Sequence, residues 1–323
     1  MTNRLPRRTI ISGIASSFAG CLGSSSSGDT ASSNDTKTQR PTAAQIRIGT
    51  RTNSKPTTKR ETEAKHYDLF AVGGQSNASG RGDSSNSPNP TAGNAIEYVN
   101  ESNEIKDPLD DPVQQNNDES DTGSAWPSFC VTYYEITGRP VAIVGAAKGA
   151  TSQHSDADAG VGNWDSSGEL THDLITSVNN AISEIESRGY SVTFRGILWS
   201  QGERDAQQIN EGEITKSNYK TALENMIARF RTAFGSDMPF WIFETGYWDG
   251  HRETQGFQDV QTVQQEVALS QNHTWMVSDK QKTFPSLGYT DGGLHYDQKG
   301  YNIMGETGGI NVAARLWPIE IFG

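Results

Sequence analysis

From residue 66 onward the chain alternates short apolar runs with longer stretches in which apolar positions recur every three or four residues. The apolar runs are Leu69–Val72, Val141–Gly145, Phe194–Trp199, Phe240–Thr245 and Thr274–Ser278. Short, nearly continuous apolar runs suit strands of a sheet that is covered on both faces. Between them, Leu170–Arg188 sets Leu174, Val178, Ala181, Ile182 and Ile185 on one side of a helix, by the i, i+3, i+4 spacing of an amphipathic element. Tyr219–Phe234 repeats this with Leu223, Met226, Ile227 and Phe230, and Phe257–Leu269 and Tyr301–Leu316 complete the set. Strands that alternate with helices predict parallel pairing through crossovers. The expected fold class is α/β: a three-layer, flavodoxin-like domain with a five-stranded parallel sheet flanked by helices.

Residues 79–125 interrupt the alternation. Arg81–Pro90 and Lys106–Pro112 read as polar loops around one short strand, Ala95–Val99. An insertion directly after the first strand lies on the carboxyl edge of the sheet, where it either shapes a cleft or forms a solvated loop. The pattern leaves both open.

The first 65 residues are of a different kind. Arg7-Arg8 precede a mildly apolar run, Thr9 to Phe18, and small residues lead into Cys21. This is the layout of a twin-arginine export signal over residues 1–21. Phe18-Ala-Gly-Cys21 also has the form of a lipobox, with Cys21 as the lipid-attachment residue. The run is far short of the ~18 residues of a membrane span. Residues 22–65 are rich in Ser, Thr, Asn and charge; such a segment cannot bury enough surface to offset its ordering entropy and reads as a disordered tether. Residues 66–323 then form the folded domain.

Charge sharpens the division. Residues 1–65 hold 11 Lys+Arg and 4 Asp+Glu, so of the totals of 27 and 39 the remainder keeps 16 and 35, a net charge of −19. So acidic a domain repels nucleic acid and stays soluble where salt screens its self-repulsion. With the export signal, this points to a secreted, halophilic protein that is extracellular and held to the membrane only through a lipid on Cys21. Cys130 is the one remaining cysteine, so no intrachain disulfide is expected after Cys21 is modified, and its apolar surroundings suit a small buried hydrophobe. The six histidines are scattered without metal-ligand spacing, so neither metal nor other cofactor is expected.

Four polar stretches fall where chemistry would be exposed, at the carboxyl edge. Leu69–Val72 runs into Gly73-Gly74-Gln75-Ser76-Asn77; Gly145–Ser152, rich in small residues, follows the second apolar run; Trp199-Ser-Gln-Gly-Glu-Arg-Asp205 follows the third; Asp291-Gly-Gly-Leu-His295 precedes the last helix. Acyl transfer needs this inventory: a nucleophilic hydroxyl, a base, a carboxylate to orient the base, and donors for an oxyanion.

Gly74–Asn77, Trp199–Glu203 and the Asp291/His295 pair, in this order and strand context, resemble the SGNH/GDSL hydrolase superfamily, in the branch of sialate O-acetylesterases and family 6 carbohydrate esterases (acetylxylan esterase-like). The resemblance spans about residues 66–318. It implies Ser76 as nucleophile, His295 as general base, and an oxyanion hole of Ser76 N–H, Gly149 N–H and the Gln201 amide. The orienting carboxylate departs from the family's Asp-x-x-His spacing, because position 292 is Gly and Asp291 lies four residues before His295. Gly292-Gly293 offer the freedom to absorb the extra residue. Glu203 is the second candidate, since some members of this branch use the Gln-Gly-Glu glutamate.

The implied activity is carbohydrate O-acetylesterase, acting on an acetylated glycan through an acyl-enzyme. A non-catalytic glycan-binding surface protein and a lipase or phospholipase on the same scaffold are the alternatives. An intact Ser76, His295 and Gln201 argue against the first, and the polar 79–125 insertion against the second. Among other polar or aromatic residues, His154 lies near the Gly149 loop, where it either touches substrate or is a polar surface residue, and His172, His251 and His273 read as solvent-facing or helix-end residues. Trp164 and Trp248 follow strand ends, where they either stack on a sugar or pack in the core.

Overall fold

The run around Leu69–Val72 becomes the central strand of the sheet. The structure, a computed structural model, describes residues 65–114, 122–247 and 254–318. The expected export signal with Cys21, all of the expected tether but Lys65, and Trp248 and His251 lie outside the described residues.

Strand β1 (His66–Gly74) runs into the one-turn helix α1 (Ser76–Ser79). The insertion that follows holds β2 (Gly82–Asp83), β3 (Ala95–Val99), β4 (Glu104–Lys106) and β5 (Thr122–Gly123). Next come α2 (Trp126–Thr137), β6 (Val141–Gly145), α3 (Glu169–Ser187), β7 (Ser191–Ser200) and α4 (Glu203–Glu211). The chain continues through α5 (Lys216–Phe234), β8 (Phe240–Phe243), α6 (Gln255–Ser270), β9 (Thr274–Ser278), α7 (Phe284–Leu287) and α8 (Gln298–Leu316).

The main sheet has the order β4-β3-β6-β1-β7-β8-β9, parallel throughout except for the β3–β4 pair. All five expected strands are in it, but among the described residues the sheet has seven strands rather than five. Ala95–Val99 joins β6 in register Ala95↔Val141, and β4 adds an antiparallel edge. Three residues, two of them charged, give β4 no apolar run to recognise. Helix α4 was equally hidden: its buried positions are Glu203, Asp205, Ala206 and Gln208, so its inward face is mostly polar.

Successive side chains of a strand point to opposite faces, and β1 uses both. Tyr67, Leu69 and Ala71 pack with α3, α5 and α6 through Leu174, Val178, Leu223, Met226 and Val263. Phe70 and Val72 pack against α2 and α8 through Phe129, Tyr133, Met304 and Val312. Fully burying a Leu, Phe or Val side chain contributes about 1.5–3 kcal/mol, so β1 is clamped from both layers. Among the described residues no helix is long and apolar enough to cross a membrane.

At the amino end of β1, Asp68 is fully buried. It accepts from Arg139 Nε at 2.6 Å and Nη2 at 2.9 Å, from Arg195 Nε at 2.8 Å and from the Tyr133 hydroxyl at 2.8 Å. Burial alone would raise its pKa, but these hydrogen bonds and the Arg195 charge outweigh burial and hold it below the ordinary value. Trp317 caps the cluster: its ring lies 4.3 Å from Arg139 Cζ and 5.0 Å from Arg195 Cζ, and its Nε1 donates to the Tyr133 hydroxyl at 2.8 Å.

The carboxyl end of β1 is where the winding reverses. After β1 the chain builds β3 and β6 on one side, then crosses to β7 on the other. Open α/β sheets bind ligands beside such a switch point.

Candidate active site

Register sets the site. Gly73 and Gly74 pair with Trp199 and Ser200 of β7, and Val72 with Gly145 of β6, so three strand ends stop at one level. Gly74 takes φ +130, and a Cβ there would lie 2.0 Å from the Ser200 carbonyl oxygen. Only glycine fits a turn this tight. Gln75 N–H then donates to Ser200 O at 3.0 Å, and Lys148 N–H to Gly74 O at 3.0 Å. The Gln75 side-chain oxygen accepts from Gly202 N–H and Arg204 N–H, each at 3.3 Å, so it caps the start of α4. The β1, β6 and β7 loops are thereby tied together.

Ser76 occupies the first turn of α1, and its Oγ lies 3.0 Å from His295 Nε2. Asp291 Oδ2 lies 3.5 Å from His295 Nδ1, an ion-pair distance longer than an ordinary hydrogen bond. The four-residue spacing is absorbed within a tight hairpin. Thr290 bridges Tyr296, Asp291 N–H donates to His295 O at 3.0 Å, and Gly293 N–H donates to Asp291 Oδ1 at 2.8 Å. Gly292 turns that hairpin at φ +86. Burial lowers the His295 pKa and the Arg81 charge lowers it further, while Asp291 acts to raise it. The net shift is downward, so the imidazole stays neutral, and able to accept a proton, to lower pH than usual.

Gly149 sits beside Ser76: a Cβ there would be 3.8 Å from Ser76 Cβ and 2.7 Å from Arg81 Nη2. Neither Ser76 N–H nor Gly149 N–H donates to another backbone or side-chain group among the described residues. Two backbone donors next to a hydroxyl–imidazole pair are the elements of an oxyanion site.

Gln201 is fully buried, and here the structure qualifies the expectation. Its Nε2 donates to Asp205 Oδ2 at 2.6 Å, and has only long contacts of 3.4 Å to Gln75 Oε1 and Thr151 O. One amide hydrogen is thus committed to a carboxylate and the other is loosely held. Asp205 also accepts from Gln153 N–H at 2.7 Å and His154 N–H at 3.0 Å, so it pins the β6 loop to α4.

Glu203 does not reach His295. Its Oε1 accepts from Asn77 Nδ2 at 2.6 Å, and Asn77 also donates to Leu294 O at 3.3 Å and accepts from the Tyr301 hydroxyl at 2.9 Å. Burial raises the pKa of both Glu203 and Asp205; among the described residues neither is paired with a Lys or Arg, and only a weaker His154 interaction opposes the rise at Asp205.

The structure therefore gathers Ser76, His295, Asp291 and Gly149, and places Gln201 and Glu203 one contact further out. Trp164 is fully buried edge-on to Trp199 with its Nε1 on Thr151 Oγ1 at 3.0 Å, so it is a core residue and not a sugar platform. His154 accepts from Asp156 N–H at 3.1 Å at a short turn. Cys130 is buried in α2, as expected. Sequence reasoning gave no role to Asn77, Arg81 or Asp205, although all three lie in stretches that drew notice. Apart from the Gln201–Asp205 bond, which spans four residues, their contacts join segments far apart in sequence that no local spacing encodes. Among the described residues, no three His, Cys, Asp or Glu side chains are grouped to hold a metal ion.

Comparison with known proteins adds to this geometry. Residues 66–309 match the family described as carbohydrate esterase, sialic acid-specific acetylesterase. Among solved structures, a protein from Arabidopsis thaliana is similar with a TM-score of 0.59 at 14% identity, over 77% of this chain and 98% of that one. NanS is similar with a TM-score of 0.55 at 12% identity, over 79% of this chain and 98% of that one. At such identities the two structures attest the fold alone. No curated protein sequence matches the chain.

Proposed function

The chain belongs to the carbohydrate esterase, sialic acid-specific acetylesterase family, and from that premise we propose that it removes O-acetyl groups from carbohydrates through an acyl-enzyme on Ser76. The observation that carries the reading is the 3.0 Å approach of Ser76 Oγ to His295 Nε2 at the switch point of the sheet.

In this reading His295 Nε2 takes the Ser76 proton as Oγ attacks the acetyl carbonyl. Asp291, at Nδ1, fixes the tautomer and stabilises the imidazolium. The N–H groups of Ser76 and Gly149 receive the oxyanion, and the loosely held hydrogen of Gln201 turns to join them. A donor aimed at the developing charge is typically worth about 2.7–4 kcal/mol of barrier. Collapse expels the sugar hydroxyl, which recovers the proton from His295. Water, activated by the same imidazole, then releases acetate.

Export belongs to the same proposal. The Arg7-Arg8 signal, the lipobox ending at Cys21 and the 22–65 segment support a lipoprotein exported by the twin-arginine route and tethered outside the cell. The net charge of −19 on residues 66–323 supports work in high salt and no nucleic-acid partner.

Acetate release from a panel of acetylated glycans in molar salt, with Ser76→Ala as control, tests the function. Release from at least one glycan, lost in the variant, is expected. Glycan binding without release would instead favour a non-catalytic binding module. Activity lost on removing salt is the expected result for the acidic surface.

A further inference from the structure

We propose that Glu203 is a positioning residue that acts on the Ser76–His295 pair through the side-chain amide of Asn77, not through the imidazole. The proposal rests on the esterase reading above and deepens it.

Asn77 stands at a junction. It follows Ser76 in α1, and its Nδ2 donates both to Glu203 Oε1 at 2.6 Å and to the carbonyl of Leu294 at 3.3 Å. Leu294 is the residue before His295. One amide therefore holds the chain neighbour of the nucleophile and the chain neighbour of the base. Its oxygen is occupied as well, accepting from the Tyr301 hydroxyl at 2.9 Å. This fixes the amide in one orientation. A flip would set Oδ1 against both Glu203 Oε1 and Leu294 O, two oxygens without a hydrogen between them and it.

Asn77, Glu203 and Tyr301 are all buried. The Asn77–Glu203 hydrogen bond is short, at 2.6 Å, and a carboxyl oxygen can accept it in either protonation state. Glu203 Oε2 has no hydrogen-bond partner among the described residues. Burying such a group is costly, yet the carboxylate does not spend its second oxygen on a cation. Among the described residues the one side chain that donates to it is the Asn77 amide, which spans the two halves of the site; the backbone N–H groups of Glu203 and Gly202 also favour its charged form.

The charges acting on His295 come from elsewhere. Asp291 faces it from the same hairpin and Arg81 from the start of the insertion. Among the described residues the titratable groups facing Glu203 are Asp205 from its own helix, Tyr219 from α5, Tyr296 from the hairpin and Tyr301 from α8. Position and charge are thus assigned to different carboxylates: Glu203 sets where the imidazole stands, and Asp291 sets its electrostatics.

The test uses full-length protein with Glu203→Ala, Glu203→Gln, Asn77→Ala and the Glu203→Ala/Asn77→Ala double variant. Burst titration with a chromogenic acetate ester counts working sites, and kcat, KM and the pH profile are measured per site. Glu203→Ala is expected to lower kcat by roughly 10- to 100-fold, because displacements near 1 Å cost that much, with KM and the acidic limb of the profile unmoved. Glu203→Gln keeps an oxygen for Asn77 and is expected to recover kcat to within about fivefold of wild type, the deficit of a neutral acceptor. The double variant should be no slower than the worse single variant, since both remove one link.

Glu203→Gln as slow as Glu203→Ala, with the acidic limb displaced, would overturn the proposal in favour of a direct charge on His295. Fewer working sites with kcat per site unchanged would overturn it in favour of fold support only. A wild-type protein without any burst would refute the esterase reading, and the proposal with it.

Discussion

At the amino end of β1, buried Asp68 shares its charge with Arg139 and Arg195; at the carboxyl end, Glu203 and Asp205 are as deeply buried but meet only amides among the described residues. The consequences run in opposite directions. The guanidiniums hold the Asp68 pKa down, whereas burial raises those of Glu203 and Asp205. A charge matched by cations ties elements together. A charge matched only by neutral donors is costly to the fold, and perturbed groups of this kind gather at functional sites. One sheet thus carries a structural end and a chemical end, distinguished by what its carboxylates touch.

The comparison breaks most visibly at Ser76. Ser76→Ala should cut turnover by about 10⁴-fold or more while the unfolding free energy stays within about 0.5 kcal/mol of wild type; steady-state kinetics with denaturant titration measure both. A loss of stability matching the loss of rate would erase the distinction between the ends.

Asp68→Asn should do the reverse, costing about 3 kcal/mol by denaturant titration, at the low end for a broken buried pair because both guanidiniums keep some solvent access, with kcat per folded molecule retained. The pH dependence has a definite sign. The Asp68 pKa is depressed in the folded state, so its contribution is present above the ordinary carboxylate value and is lost as pH falls through the depressed one. The stability gap between wild type and variant should therefore narrow in strong acid.

Asp291→Asn should lower kcat/KM by about 10²-fold, less than the roughly 10⁴-fold of a buried triad carboxylate, because Asp291 is 46% exposed and 3.5 Å from the ring. Asp291 acts to raise the His295 pKa, against burial and Arg81. In wild type the acidic limb of kcat/KM should thus lie below the ordinary histidine value of 6.5, and in the variant it should move lower still. Gly149→Ala should have the smallest effect, under about tenfold on kcat. The added methyl meets the far end of the flexible Arg81 side chain at 2.7 Å and only ordinary contact with Ser76.

How much of this the chain announces depends on what each part buries. Strands β1, β6, β7, β8 and β9 and helices α3, α5, α6 and α8 bury apolar faces, and their apolar patterns mark them within a few residues. Helix α2 buries Trp126, Phe129 and Tyr133 but was not among the expected helices. That Ser76 and His295 stand at one edge was legible because each lies at a strand or loop end, next to glycines that permit the turn. Strand β4 and helix α4 bury too little apolar surface to leave a pattern. The Asn77–Glu203 bond joins residues 126 apart in sequence, and the Asn77–Leu294 bond residues 217 apart. Such contacts exist only once the sheet has brought three loops together, which is why spacing alone left Asp291 and Glu203 as rivals for one role. The structure gives them different neighbours instead.

The central claim, that the chemical end works through an acyl group on Ser76, is most directly tested by rapid quench of wild-type protein with a chromogenic acetate ester, followed by mass mapping of its peptides. The account predicts one acetyl group, on Ser76, formed in the burst and absent from Ser76→Ala. An acetyl group that forms elsewhere at the same rate, or turnover by Ser76→Ala at the wild-type rate, would contradict it.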